Sequence, residues 1–118
     1  MADDQRGAAT AELALAIPLL LSLTVGLVWL RTVGAAQVRM VAAAREAARA
    51  SARGDPVAEA EARGEQVAPP GSTVSVESRG DRVVSTATGS VGPPGGLLGF
   101  LPRVRLRAQS VAAAEATP

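Results

Sequence analysis

Residues 6–21, RGAATAELALAIPLLL, set the architecture of the N-terminal part of this chain, because a short polar segment passes directly into an apolar run. Glu12 is the last charged residue before Arg31, so residues 13–30 form a stretch of 18 residues without a charge. At ~1.5 Å per residue, an α-helix of this length covers about 27 Å, close to the hydrocarbon thickness of a bilayer. The pattern predicts a membrane-spanning helix with one carboxylate at its start.

Three residues mark positions along this helix. Pro18 lies inside it and should kink or loosen it. Trp29 and Arg31 lie at its far end, where an indole and a guanidinium suit the membrane interface. Five arginines follow the apolar run within residues 31–53, whereas only Arg6 precedes it, so the positive-inside rule places the C-terminal part in the cytoplasm. The five are Arg31, Arg39, Arg45, Arg49 and Arg53.

After the apolar run, alanine-rich sequence favours continued helix, and we predict one helix over residues 9–53. A stripe of mostly small residues along it is suited to packing against the chain's own sheet and against helices of other subunits. The stripe comprises Val33, Met40, Val41, Ala44, Ala47, Ala48, Ser51 and Ala52. Gly54 should end the helix, and Asp55 and Pro56 should begin a second one as N-cap and first helical residue. Glu46 should pair with Arg49, and Glu59 with Arg63.

From residue 72 onward the apolar period changes to two, which predicts strands. The first strand contains Val74 and Val76, and a turn at residues 79–81 leads to a second strand over residues 82–90. A Pro/Gly loop at residues 91–96 precedes a third strand, in which Arg103, Arg105 and Arg107 alternate with Val104, Leu106 and Ala108. This guanidinium row is interpreted mainly as a solvated face, with an acidic partner as the alternative.

The composition argues against several classes of function. The chain has 118 residues and a net charge of +1, with no Cys, no His and no Tyr. Without these side chains, thiolate or imidazole chemistry and disulfides are excluded, and we predict no enzyme, no metal site and no cofactor. A basic face with stacking aromatics is missing, so we predict no nucleic-acid partner. The expected fold class is α+β: a long N-terminal membrane-spanning helix packed on a short helix and a small three-stranded antiparallel sheet.

The carboxylate of Glu12 gains a possible purpose if the chain is cut after Gly7. Ala8 then carries a free ammonium, and Glu12 is four positions further on, on the same helix face. Each charge favours an opposite partner at the bilayer edge, within one chain or between subunits, where such a pair would set the axial register. The plainer interpretation is a helix-start acid that only complements the helix dipole.

Three motifs together resemble the TadE-like family of minor pilins (pseudopilins) from tight-adherence, or Flp, type IVb pilus systems. They are RGAATAELALAIPLLL at 6–21, AAREAARASARGD at 43–55 and LPRVRLRAQSVAAAE at 101–115. The resemblance implies cleavage by a prepilin peptidase between Gly7 and Ala8, with Glu12 used in recognition or assembly. It also implies a role in pilus assembly, with other pilin or pseudopilin subunits and a pilus assembly platform as partners.

The resemblance further implies a single-pass protein of the bacterial cell membrane, incorporated into an extracellular pilus that serves cell adhesion. Its parts would be a cytoplasmic leader (1–7), an anchor helix (8–31) and an extracytoplasmic helix and sheet domain (32–118). This orientation opposes the one that the arginine distribution predicts. Two other hypotheses remain: an uncleaved single-pass membrane scaffold of a secretion complex, and a secreted domain cut near Ala36, where Gly34, Ala35 and Ala36 offer a small-x-small site.

Overall fold

A computed structural model of the chain describes residues 2–93 and 102–114. Two helices, α1 (Ala2–Ala52) and α2 (Val57–Val67), are followed by three strands: β1 (Thr73–Arg79), β2 (Arg82–Val91) and β3 (Val104–Ala113). The strands form an antiparallel sheet in the order β1-β2-β3. The predicted α+β class is therefore confirmed. The structure divides into two compact units, Met1–Thr32 and Val33–Pro118, which are described separately below.

The first unit consists of the N-terminal part of α1. The helix begins at Ala2, earlier than the predicted residue 9, because residues 2–8 include no proline and Asp3 and Asp4 suit the first turn of a helix. Helical structure continues through Pro18, and the predicted kink there stays a prediction. The helix is long and apolar enough to span a membrane, and none of the residues in its most apolar stretch of 18 is buried.

Helix α1 ends as predicted, at a glycine with a left-handed backbone. Gly54 has φ 99°, its N–H donates to the Ser51 carbonyl, and the Asp55 N–H donates to the Ala50 carbonyl at 3.1 Å. This pair of bonds is the Schellman motif, which satisfies carbonyls left open at a helix C-terminus.

The start of α2 differs from the prediction. Pro56, and not Asp55, is the N-cap, and no side-chain hydrogen bond caps the helix. The reason is that the Pro56 carbonyl already accepts the first helical bond, from the Ala60 N–H at 2.9 Å. Asp55 therefore lies one position too early to cap, and its carboxylate instead approaches Arg53 at 3.6 Å and Arg63 at 3.7 Å.

The sheet matches the predicted strands with longer ends. Strands β1 and β2 join through Gly80 and Asp81, and Gly80 has φ 64°, as a two-residue hairpin with glycine in first position requires. Val91 is the last residue of β2, where we predicted loop, since it pairs with Val104. β3 continues to Ala113, which pairs with Arg82. The remainder of the predicted loop, from residue 94, lies outside the described residues.

The core of the second unit lies between the C-terminal part of α1 and one face of the sheet. Met40 is fully buried there, and Leu106 from β3 and Ala87 from β2 belong to the same cluster. Most members of the predicted stripe are buried or half-buried, so its packing inside the unit is confirmed. Ala43 and Ala50 are also fully buried, although the stripe did not include them. Alanine side chains are short, so α1 and the sheet can approach each other closely and form a small, tightly packed core.

Helix α2 packs against this core through a glycine. A Cβ added to Gly64 would lie 3.0 Å from the Ala43 carbonyl oxygen, from the Ala47 Cβ and from the Val74 Cγ1. A side chain at this position would meet three elements at once, because α1, α2 and β1 converge there. The approach explains why a residue that weakens helices occupies the interior of α2.

The outer edge of β1 is closed by a side chain from α2. The Val76 N–H, which points away from β2, donates to the Glu61 Oε2 at 2.9 Å. Carboxylates on a short surface helix, as at Glu59, Glu61 and Glu65, are predicted from the sequence to be solvated, and for Glu61 this prediction is wrong. Its carboxylate satisfies a donor on an edge strand, where unpaired groups invite pairing with other chains.

We expect Glu61→Ala to destabilise the second unit by about 1–2 kcal/mol, because it removes a hydrogen bond to a charged acceptor that is partly shielded from water. Glu65→Ala, one helical turn further along α2 and exposed, is the matched control and should change stability by less than about 0.5 kcal/mol. Hydrogen exchange of the Val76 amide, in the full chain, measures the effect of each substitution. Equal exchange rates in the two variants would contradict the assigned role of Glu61.

Candidate functional site

The predicted processing and assembly residues lie on the N-terminal part of α1. Gly7, Ala8 and Glu12 are all exposed. Ala8 and Glu12 are four residues apart within one helix, so they share a face. A Cβ added to Gly7 would meet no atom within 4 Å. Packing inside the first unit therefore does not require glycine at position 7.

The apolar segment that follows is open along its length. Leu15 is 74% exposed, and the other large aliphatic side chains there are more than half exposed except Val25, which is partly buried. Its polar side chains are satisfied within the helix: Ser22 donates to the Pro18 carbonyl at 2.8 Å, and Thr24 donates to the Leu20 carbonyl at 2.9 Å. Hydroxyl groups bound in this way expose no open donor to an apolar surrounding. The exposed aliphatic surface belongs to a helix that is long and apolar enough to cross a membrane.

The charged groups of the second unit form few and weak ion pairs. Glu46 lies 3.8 Å from Arg49, as predicted. The predicted pair of Glu59 with Arg63 is not formed, because the Arg63 guanidinium lies beside Asp55. These two pairs, and those of Arg53 with Asp55 and of Arg79 with Glu77, are partly exposed, so each contributes little to stability.

The guanidinium row of β3 lies on the outer face of the sheet, opposite the core. Arg105 and Arg107 are exposed, and their neighbours Leu106 and Ala108 are buried, which confirms the predicted alternation. Arg103, just before the strand, donates to the Ser90 hydroxyl at 3.1 Å. The Arg107 carbonyl accepts a hydrogen bond from the Gln37 side chain of α1 at 3.3 Å.

Two residues of this unit were missed in the sequence. Gln37 and Glu61 each bind an outward-facing main-chain group of an edge strand. Their roles depend on long-range contacts, and no local pattern indicates them. Within residues 2–93 and 102–114, no three acidic side chains come together as a metal site would require.

Comparison with known proteins bears on the N-terminal part of the chain. A family model described as TadE-like protein matches residues 7–49. The match begins at Gly7, contains Glu12 and the whole apolar segment, and ends within the alanine-rich part of α1. The match confirms the resemblance to the TadE-like family over these residues, and the motif at residues 101–115 lies outside it. No curated protein and no solved structure matches the chain significantly.

Proposed function

We propose that this chain, TadE-like over residues 7–49, is a minor pilin (pseudopilin) that takes part in assembly of a tight-adherence Flp pilus. The observation that carries the proposal is the family match, which starts at Gly7, the predicted cleavage position, and includes Glu12, the acid directly before the apolar segment. The second unit supports a minor role, because a packed sheet domain is more than an anchor helix requires. Its function in this proposal is structural, without catalysis.

Maturation is the first step of the proposed function. A prepilin peptidase cuts between Gly7 and Ala8 and leaves a free ammonium on Ala8. The apolar segment then anchors the chain in the cell membrane, with the second unit on the extracytoplasmic side. This orientation follows the family and opposes the arginine distribution.

Assembly is the second step. The Ala8 ammonium and the Glu12 carboxylate lie one helical turn apart at the start of the apolar segment. In a low-dielectric surrounding an unpaired charge is costly, so the carboxylate of an incoming subunit binds the ammonium of a neighbour and sets the axial register between the two. The exposed aliphatic surface beside it packs against the helices of other subunits.

The mass of the mature N-terminus tests the proposal directly. We expect the membrane fraction to contain a chain that begins at Ala8. A chain that retains its first seven residues would favour the uncleaved membrane scaffold, and a chain that begins near Gln37 would favour a secreted domain.

Removal of the carboxylate should separate membrane insertion from assembly. We expect Glu12→Gln and Glu12→Ala to leave the chain in the membrane but to lower its amount in sheared pili at least about tenfold, because breaking a buried pair costs more than the ~1.4 kcal/mol that corresponds to that factor. The control is Thr10→Ala, an exposed neighbour that should assemble normally. Quantitative immunoblots of pilus and membrane fractions measure the ratio. Normal incorporation of both Glu12 variants would exclude the pairing.

A further inference from the structure

The edge of the sheet formed by β3 is open in the part of the chain that the structure describes. The Ala114 N–H donates to the Asp81 carbonyl at 2.8 Å, and successive residue pairs in an antiparallel ladder alternate between bonded and non-bonded. Even-numbered residues of β3 therefore bond to β2. Five residues of β3 direct their main-chain N–H and C=O groups to the open edge: Arg105, Arg107, Gln109, Val111 and Ala113.

The two edges of the sheet are treated differently. At the β1 edge, the carboxylate of Glu61 accepts the hydrogen bond of an outward N–H. At the β3 edge, the side chain of Gln37 donates to the Arg107 carbonyl, and no carboxylate of the described residues accepts from the outward N–H groups. An edge with unpaired donors and acceptors is a template for a further strand.

Guanidinium groups flank this open edge on both sides. On the outer face of the sheet, Arg105 and Arg107 are exposed and form no ion pair with a carboxylate of the described residues. On the other side, an open cavity of about 460 Å³ lies between β3 and α1. It is lined by three arginines of α1, Arg45, Arg49 and Arg53, together with small residues that include Ser110 and Ala112.

We propose that the open edge of β3 binds an extended acidic segment of a partner protein, which joins the sheet as a fourth strand. The side chains of an added strand alternate between the two faces. Its carboxylates on one face meet Arg105 and Arg107. Those on the other face meet Arg45, because Arg49 and Arg53 of the cavity already lie beside Glu46 and Asp55. The main-chain bonds supply affinity, and the guanidinium groups select an acidic sequence. This inference goes beyond the proposed function and does not depend on cleavage after Gly7.

Other occupants fit this edge less well. A second copy would bring the same guanidinium row of its own β3 to the new interface, and like charges across strands are destabilising. Anionic lipid headgroups would neutralise the arginines, but they offer no regular series of donors and acceptors to the outward main-chain groups. A strand with carboxylates satisfies both requirements.

The probe for this site is a short fluorescent peptide of Glu, Thr and Val, titrated against the full chain in neutral phosphatidylcholine nanodiscs. We expect saturable binding that weakens at high salt. The same peptide with alternate amides N-methylated should bind at least about tenfold more weakly, because it loses the main-chain bonds. A peptide with Lys in place of Glu should not bind.

Two variants of the chain separate the contribution of the main-chain hydrogen bonds from that of the guanidinium charge. Gln109→Pro removes one outward N–H and no bond to β2, and proline is tolerated on edge strands for that reason. Its matched control is Gln109→Thr, which retains the donor. Arg107→Glu reverses one charge on the exposed face. We expect Gln109→Pro and Arg107→Glu each to weaken peptide binding about tenfold, with Gln109→Thr close to wild type. Hydrogen exchange of the β1 and β2 amides verifies the fold.

Four results would overturn the proposal. The first is no binding of the acidic peptide. The second is equal binding of the peptide and its N-methylated form. This comparison uses the wild-type chain, so it tests the main-chain bonds even if Gln109→Pro does not fold. The third is a dimer of the chain that Gln109→Pro abolishes, which would make a second copy the occupant. The fourth is binding of anionic vesicles that Arg107→Glu weakens while the peptide remains unbound.

Discussion

Gly64→Val is expected to destabilise the second unit by about 3 kcal/mol, a large part of the stability of a domain this small. A Cβ at this position already lies 3.0 Å from atoms of Ala43, Ala47 and Val74, and the two further methyl groups of valine have no free volume. One of the three atoms is a backbone oxygen, which cannot move aside by changing a rotamer. Helix α2 must therefore shift away from α1 and β1, and the contact between Glu61 and the β1 edge is lost with it.

Hydrogen exchange of the sheet amides, with the full chain in neutral nanodiscs, measures this loss of stability. The matched control is Gly34→Val on α1, because a Cβ there meets no atom within 4 Å. We expect the control to stay within about 0.5 kcal/mol of wild type, since only helix propensity changes. Equal protection of the sheet in both variants would show that the close approach of α2 is not required.

Gly7→Leu is expected to abolish maturation, so that the chain in the membrane fraction keeps its original N-terminus. In the proposed processing, the residue before the cut enters the active site of the peptidase, and glycine admits a close approach to the backbone that leucine blocks. The fold itself gives no reason for an effect, because Gly7 is exposed and an added Cβ meets nothing. Loss of processing would therefore report on recognition and not on folding.

Gly26→Leu provides a stringent control for this experiment. Gly26 belongs to the same helix and is equally free of neighbours, and leucine suits an apolar helix. We expect this variant to begin at Ala8 like the wild type, as determined by mass spectrometry of the intact protein. A Gly7→Leu chain that also begins at Ala8 would remove the basis of the proposed processing and leave the membrane scaffold as the better hypothesis.

Local signals were sufficient for most of the elements. The charge-free run after Glu12, the glycine at residue 54 and the alternation of arginine with apolar residues in β3 each indicated the element that the structure shows. Errors arose where two neighbouring residues compete for one role. Asp55 and Pro56 both suit a helix start. Pro56 is the N-cap because its carbonyl accepts the first helical hydrogen bond.

Ion pairs and edge contacts were the least predictable features. The spacing of Glu59 and Arg63 favours a pair on an isolated helix, but the turn after α1 brings Asp55 to the same guanidinium. Glu61 and Glu65 look alike in the sequence, yet only Glu61 faces β1. Such choices depend on residues that are distant along the chain.

By itself, the sequence determined the kinds of structure in this protein: an apolar helix long enough to span a membrane, an alanine-rich continuation, a short helix and a three-stranded sheet, with one acid where the apolar run begins. Periodicity and composition act over a few residues, so they can be read without a fold. Only the tertiary structure decided which edge of the sheet is closed by Glu61, which remains open beside the arginines, and why Gly64 leaves no room for a side chain. Those properties arise where separate elements converge, and their distances are set by packing.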